Sequence, residues 1–320
     1  MQQMREKVKT LITMISPSSQ VNKVLSEIEP YADIRFLGEH ETVENYVEEI
    51  EVLYGNIEEK DFAKAKKLKW VQTNSTGVEQ VMYPAFQNSD IILTNTGRSI
   101  TTVVAGHAVT MFLAIARNIH HQRDLMKEHK WEIICGRDIG NMTLGILGYG
   151  KIGQEIALRA RSFVKNLYVL DVRNIPVEGN IDKTYTLDRL HEFLRECDAV
   201  ICSLPLTPQS NNLISDKEFD SMKKDGYLIN ISRGEIVNEG ALLNALRENK
   251  IAGAAIDVLE TEPCPTDSPL WKESNLLITP HSAGYCETLE QRKMQQFVMN
   301  FKDYLRTGKI PMGLNKTQGW

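Results

Sequence analysis

Three side chains suited to acid–base and anion chemistry each follow a short apolar run in the second half of the chain. They are Arg233 in Asn230-Ile231-Ser232-Arg233-Gly234, Glu262 in the stretch from Asp257 to Pro263, and His281 in Thr279-Pro280-His281-Ser282-Ala283-Gly284. A guanidinium can hold a carboxylate with its planar fork and polarise the carbonyl beside it. An imidazole can exchange a proton with a hydroxyl oxygen, and a neighbouring carboxylate orients the ring and favours its cationic form. That combination is what hydride transfer at a 2-hydroxy acid requires. Taken singly, Arg233 reads as a surface cation, Glu262 as a loop acid before Pro263 and His281 as part of a proline-containing turn. Their common position after apolar runs makes them a set.

The element that must position them is the stretch from Thr143 to Asp171: an apolar run, a glycine-rich turn, an amphipathic helix and a second apolar run ending in an acid. Gly148, Gly150 and Gly153 form G-x-G-x-x-G between strand and helix, its required setting. Gly148 permits the tight turn, Gly150 lets the backbone approach a pyrophosphate, and Gly153 lets the helix lie close to the sheet. Asp171 closes the second strand, where a carboxylate can accept from an adenosine ribose. The stretch reads as a dinucleotide site.

Strand-length apolar runs at 11–15, 34–37, 52–54, 70–72 and 91–94 alternate with helical patterns at 21–28 and 58–67, which argues a parallel sheet covered on both faces. Thr73 to Val78 follows the fourth run, and small residues with exposed N–H groups there suit a carboxylate. The residues themselves are equally those of an ordinary strand-to-helix turn. A long helix is expected over 99–118 and a second to about 131. After the glycine motif come runs at 199–203, 227–231, 253–258 and 276–278, with helical patterns at 187–196, 215–222 and 239–248, giving a second, larger doubly wound sheet. A last helix over 287–306 has no strand after it and is free to cross back to the first domain.

Composition narrows the classes. The 320 residues are 42% hydrophobic and 25% charged, ordinary for a soluble globular chain of about two domains. A net charge of −5 gives no basic footprint for nucleic acid. Five scattered cysteines, without C-x-x-C or metal-ligand spacing, read as reduced thiols of a cytoplasmic protein with no metal. The apolar stretch from Val103 to Ala116 is expected to be too short to span a bilayer, so no membrane partner is expected.

The ordered motifs Leu147-Gly148-Tyr149-Gly150-Lys151-Ile152-Gly153, Leu204-Pro205-Leu206-Thr207-Pro208, Asn230 to Gly234, Gly253 to Pro263 and Pro280 to Gly284 resemble those of the D-isomer-specific 2-hydroxyacid dehydrogenase family. The resemblance covers nearly the whole chain. It implies an α/β fold of two doubly wound parallel-sheet domains, with a Rossmann NAD-binding domain (99–286) inserted into a discontinuous flavodoxin-like substrate domain (1–98 plus 287–320). It implies Arg233, Glu262 and His281 as the catalytic trio. It places Gly148, Gly150, Lys151, Ile152 and Gly153 around the pyrophosphate and Asp171 at the ribose. Leu204, Ile231, Ser232 and Asp257 fall on the nicotinamide side, with Asp257 at the carboxamide, and Pro205, His281 and Gly284 are further cofactor-binding positions. Ser75, Thr76 and Gly77 match the loop that binds the substrate carboxylate together with Arg233. The implied activity is interconversion of a small 2-oxo acid and a D-2-hydroxy acid with NAD, in a homodimer.

Two departures stand out. Gly106 occupies the glutamate position of the family's Ala-Glu-His, at a cost of about 1 kcal/mol for a helical glycine. Arg173, just after Asp171, is a cation within range of a 2′-phosphate. Formate- or phosphite-type oxidation on the same scaffold is the alternative chemistry; Glu262 argues against the formate type, which pairs the histidine with an amide. A corepressor-like NAD-binding protein is the alternative class, weakened by the lack of long basic or disordered appendages.

Overall fold

The computed structural model describes residues 6–316, so the first five and last four residues of the expected substrate domain lie outside the described part. The chain divides into two compact units, Met1–Ile100 with Cys286–Trp320, and Thr101–Tyr285.

The first unit runs β1 (Val8–Ile12), α1 (Ser19–Leu25), β2 (Ala32–Phe36), β3 (Val52–Tyr54), α2 (Glu59–Phe62), β4 (Trp70–Gln72), α3 (Pro84–Gln87) and β5 (Ile92–Thr94). Its strands are all parallel in the order β2-β1-β3-β4-β5, the doubly wound flavodoxin-like arrangement. Successive strand residues serve opposite layers, as the two-residue period demands. Ile12, Val52, Tyr54 and Trp70 enter one core, and Leu11, Leu53, Val71 and Leu93 enter the other. The expected 58–67 helix contracts to the single turn of α2. Beyond it the backbone bonds tighten to i→i+3, from Lys64 N–H to Asp61 O and from Ala65 N–H to Phe62 O. A longer helix would stack Lys60, Lys64 and Lys67 on one face, where like charges repel.

The second unit holds most of α4 (Gly97–Ala116), then α5 (Ile119–Lys127), β6 (Thr143–Leu147), α6 (Lys151–Ala160), β7 (Asn166–Leu170), β8 (Lys183–Tyr185), α7 (Leu190–Glu196), β9 (Ala199–Cys202), α8 (Asp216–Ser221), β10 (Tyr227–Asn230), α9 (Glu239–Arg247), β11 (Gly253–Ile256) and β12 (Leu276–Ile278). Its seven strands are parallel in the order β12-β11-β10-β9-β6-β7-β8. The direction of winding reverses between β6 and β9, the crevice where Rossmann sheets take a dinucleotide. Strand β8 was not expected, because Lys183-Thr184-Tyr185 is polar; it joins as an edge strand beside β7.

The chain closes with α10 (Leu289–Thr307), which belongs to the first unit. Phe297 stacks on Trp70 at 5.1 Å and meets Tyr54 edge-on at 5.4 Å, contacts worth about 0.5–1.5 kcal/mol each beyond their burial. The expectation that the apolar stretch before Ala116 falls short of a bilayer is corrected. The helix starts at Gly97, and its 20 residues are long and apolar enough to cross one. Half of that window is buried in the protein, with Val104, Ala108, Phe112 and Ile115 among its core side chains, so the apolarity serves packing.

Candidate active site

The glycine turn links β6 to α6. Gly148 has φ +96°, and a Cβ there would come within 2.9 Å of the Ser203 carbonyl oxygen. A Cβ on Gly153 would lie 2.2 Å from the Gly148 oxygen, so only glycine lets α6 approach the turn this closely. Around Gly150 a Cβ would meet nothing within 4 Å, and no side chain caps the helix it opens. An open concave turn ending at an uncapped helix N-terminus fits a pyrophosphate. The residues present therefore fit NAD(P), and Gly150, Lys151 and Ile152 are the ones that would hold it.

Asp171 is 6% exposed, yet its carboxylate is heavily engaged. Its Oδ2 accepts from Tyr149 N–H (2.8 Å) and from a terminal nitrogen of Arg173 (3.0 Å), and its Oδ1 accepts from Arg173 N–H (2.9 Å) and Nε (2.8 Å). Burial works against its ionised form, but these donors outweigh burial and hold the carboxyl below the usual range. Arg173 also donates to Tyr149 O at 2.9 Å, tying the end of β7 to the glycine turn.

The trio follows three successive neighbours of the sheet. After β10, the buried Asn230 shapes the turn: its Nδ2 donates to Arg233 O (2.9 Å), and its Oδ1 accepts from Ser232 N–H (3.1 Å) and Oγ (2.7 Å). Arg233 leans back, one terminal nitrogen donating to Ser232 O at 2.8 Å. After β11, Glu262 bends back on its own loop, and its Oε1 accepts Leu259 N–H at 3.0 Å. The Arg233 turn and this loop touch through Gly234, where a Cβ would lie 1.9 Å from the Leu259 carbonyl carbon. Glu239, opening α9, accepts Glu260 N–H (2.6 Å), while Glu260 accepts Glu239 N–H (3.0 Å), a reciprocal brace on the loop. After β12, His281 Nδ1 lies 2.7 Å from Glu262 Oε2. A carboxylate only accepts, so Nδ1 carries a proton and Nε2 is left to give or take one. His281 has φ +50°, a left-handed conformation that costs on the order of 1–3 kcal/mol and that its surroundings must impose.

Asp257 supplies that constraint. It is 1% exposed, its backbone oxygen accepts His281 N–H (2.7 Å), and its carboxylate accepts Ser282 N–H and Ala283 N–H, both at 2.9 Å. Leu204 and Pro205 follow β9 next to the glycine turn, where Ser203 Oγ donates to Gly148 O at 2.7 Å. Ile231 and Ser232 are nearly buried in the β10 turn, and Gly284 ends the β12 turn.

In the first unit, the loop after β4 is held by Asn95 Nδ2 donating to Thr76 O (2.7 Å) and by Ser75 Oγ donating to Gly77 O (2.6 Å). The N–H groups of Thr76 and Gly77 meet no acceptor among the described residues, and Thr76 Oγ1 is buried without a partner. These are features an anion can satisfy. No cluster suited to a metal occurs among the described residues. The sequence reading missed Asn230 and the brace formed by Glu239 and Glu260. Asn230 left a signal, a polar residue ending an otherwise apolar strand; the brace left none.

Residues 109–283 match the profile of the D-isomer specific 2-hydroxyacid dehydrogenase NAD binding domain. The chain is 32% identical over 272 residues to a glyoxylate reductase of Korarchaeum cryptofilum, covering 83% of this chain and 81% of that one. It is 30% identical over 322 residues to a glyoxylate reductase of Pyrococcus furiosus, covering 95% and 94%. A probable 2-hydroxyacid dehydrogenase from Rhizobium etli, solved in complex with NADP, has the same fold with a TM-score of 0.83 at 25% identity, covering 98% of this chain and 100% of that one. On these matches, with the two parallel-sheet units and the glycine turn, the chain belongs to the D-isomer specific 2-hydroxyacid dehydrogenase family and is an NAD(P)-dependent D-2-hydroxyacid dehydrogenase.

Proposed function

We propose that the enzyme reduces a small 2-oxo acid of the glyoxylate class to the D-2-hydroxy acid with NADH, the reverse oxidation using the same groups. The single observation behind this reading is the Glu262–His281 pair at 2.7 Å, in a turn next to the one that carries Arg233. Bound NADH supplies the hydride. Arg233 releases its hold on Ser232 O to take the substrate carboxylate and lend positive charge to the carbonyl oxygen. His281 donates its Nε2 proton to that oxygen, and Glu262 keeps the ring aligned. In the first unit, Ser75, Thr76 and Gly77 form a loop suited to a carboxylate. Leu204, Pro205, Ile231, Ser232, Asp257 and Gly284 border the nicotinamide. In this reading 1–98 with 287–320 is the substrate domain and 99–286 the cofactor domain.

Asp171 as acceptor for both ribose hydroxyls supports NADH. A second reading, use of NADPH, is favoured by the Arg173 fork on Asp171, which neutralises the carboxylate and offers a 2′-phosphate a cation; the Rhizobium etli relative holds NADP. Exposed Ile119, Met126, Trp131 and Ile133, on α5 and just after it, support a homodimer formed through the cofactor domain. Five unpaired cysteines support a cytoplasmic setting. The test is oxidation of NADH and of NADPH with glyoxylate, pyruvate, hydroxypyruvate and branched 2-oxo acids. Turnover of small 2-oxo acids with a higher kcat/KM for NADH is expected. No turnover of any 2-oxo acid would reject the substrate class, and equal kcat/KM for both cofactors would reject the role of Asp171.

A further inference from the structure

We propose that His107, on α4, is a positioning residue for the proton-transfer turn: its imidazole steadies Asp257 through Thr279 and so keeps His281 in its left-handed conformation. The inference rests on the reading of His281 as proton donor. His107 Nε2 lies 3.1 Å from Thr279 Oγ1 and 3.6 Å from Asp257 Oδ1. The Thr279 hydroxyl donates in a short bond to that same carboxylate oxygen. A hydroxyl has one proton to give, so Thr279 Oγ1 accepts from His107, and Nε2 carries the proton. The chain of donors therefore runs one way, from His107 to Thr279 to Asp257.

Asp257 is the end of the chain because it must stay ionised while buried. Burial opposes its charge most, but the nearby His107 imidazole and the hydrogen bonds from Thr279, Ala283 and Ser282 overcome burial and hold its carboxyl below the ordinary range. An ionised Asp257 accepts both Ser282 N–H and Ala283 N–H, while its backbone oxygen takes His281 N–H. Three successive N–H groups of the catalytic turn thus end on one residue. A leucine at 107 would remove the first donor of the chain and free the Thr279 hydroxyl to rotate. The carboxylate would then hold the turn less firmly. The contacts of His107 run to Thr279 and Asp257, so its effect on His281 passes through geometry.

The experiment compares His107→Leu, His107→Gln, Thr279→Val and the Leu/Val double variant, by steady-state reduction of glyoxylate (or the best 2-oxo acid found) and by NADH fluorescence titration. Leucine should lower kcat about tenfold to a hundredfold, the scale of a misplaced catalytic group, with KM for the 2-oxo acid changed less than about threefold. Glutamine, whose amide can donate to Thr279, should restore kcat to within about threefold of the wild type. Because the two residues act in series, the double variant should lose no more than the worse single one. If His107→Leu unfolds, the glutamine and valine variants carry the same comparison. Wild-type kcat in His107→Leu, or losses that multiply fully in the double variant, would overturn the proposal. His281→Ala separates this failure from that of the underlying reading. An inactive His281→Ala beside a fully active His107→Leu refutes the positioning role alone, whereas an active His281→Ala refutes the assignment of the donor and the inference with it.

Discussion

Replacing Gly234 by alanine should cripple catalysis while leaving cofactor binding nearly intact. The added methyl would lie 1.9 Å from the Leu259 carbonyl carbon, 2.1 Å from its oxygen and 2.3 Å from Glu260 N. All three are backbone atoms, so no side chain can swing aside. To reach ordinary contact the loop must recede by about 1.5 Å. Leu259 N–H is bonded to Glu262 Oε1 at 3.0 Å, so that shift carries Glu262 with it and stretches its 2.7 Å bond to His281. The Glu239–Glu260 brace resists the movement, leaving strain at both ends of the loop. Overpacking of this kind costs about 1–3 kcal/mol of stability, and a misplacement near 1 Å costs about a hundredfold in turnover. The glycine turn follows β6, two strands away from β10, so NADH affinity should change less than about threefold. The assay is kcat with the preferred 2-oxo acid, an NADH fluorescence titration and a thermal melt. A folded Gly234→Ala enzyme with wild-type kcat would refute the claim that the loop's distance from Gly234 sets the Glu262–His281 geometry.

Further outcomes follow from the same site. His281→Ala should cost on the order of 10² to 10⁴ in kcat, and Glu262→Gln should slow reduction more than oxidation, since an amide does not stabilise a cationic ring; both are read in steady-state assays of each direction. Arg233→Lys should raise KM for the 2-oxo acid and lower kcat together, because lysine lacks the planar fork; unchanged constants in Arg233→Ala would mean the assigned centre is wrong. Arg173→Ala, which frees the Asp171 carboxylate, should raise the NADH-to-NADPH ratio of kcat/KM, and a fall in that ratio would contradict the reading of Arg173 as a cation for the 2′-phosphate. His120 is held down to about 4, first by burial and then by the adjacent His121. As pH falls, the unfolded chain takes up this proton before the folded one does. Its contribution to stability is therefore whole above about pH 6.5 and is lost between there and about pH 4. The ceiling is about 3 kcal/mol, reduced to roughly 1 kcal/mol because the residue is only partly buried. Urea unfolding should show a shallower acid-side decline in His120→Gln, and an identical decline would remove this cause.

The parts of this molecule that were readable from sequence are those fixed by local rules. Gly148, Gly150 and Gly153 announce their turn because only glycine tolerates φ +96° or a carbonyl at 2.2 Å. Strands such as 52–54, 70–72 and 276–278 were placed to the residue, because each is a short run dominated by apolar residues. The rest depends on contacts between distant residues. Lys183-Thr184-Tyr185 forms a strand because β7 offers an edge, which its polar composition does not show. The fork of Arg173 on Asp171 needs both rotamers, and the Glu239–Glu260 brace joins residues 21 positions apart. The hydrogen bonds of Asp257 to the His281 turn likewise join residues 25 and 26 positions apart.

The shortness of β12 gives Asp257 a further consequence. This edge strand pairs with β11 through only three positions, Ala254↔Leu276, Ala255↔Leu277 and Ile256↔Ile278. Sliding it by one residue would move the chain about 3.3 Å and turn every side chain to the other face. Three apolar residues do little to forbid such a slip, since Leu276, Leu277 and Ile278 are nearly interchangeable. The carboxylate and carbonyl of Asp257, gripping the N–H groups of residues 281 to 283, count the chain into place. Asp257 thus works as a register pin, and its loss should leave a folded sheet whose final strand no longer delivers the imidazole to a single address.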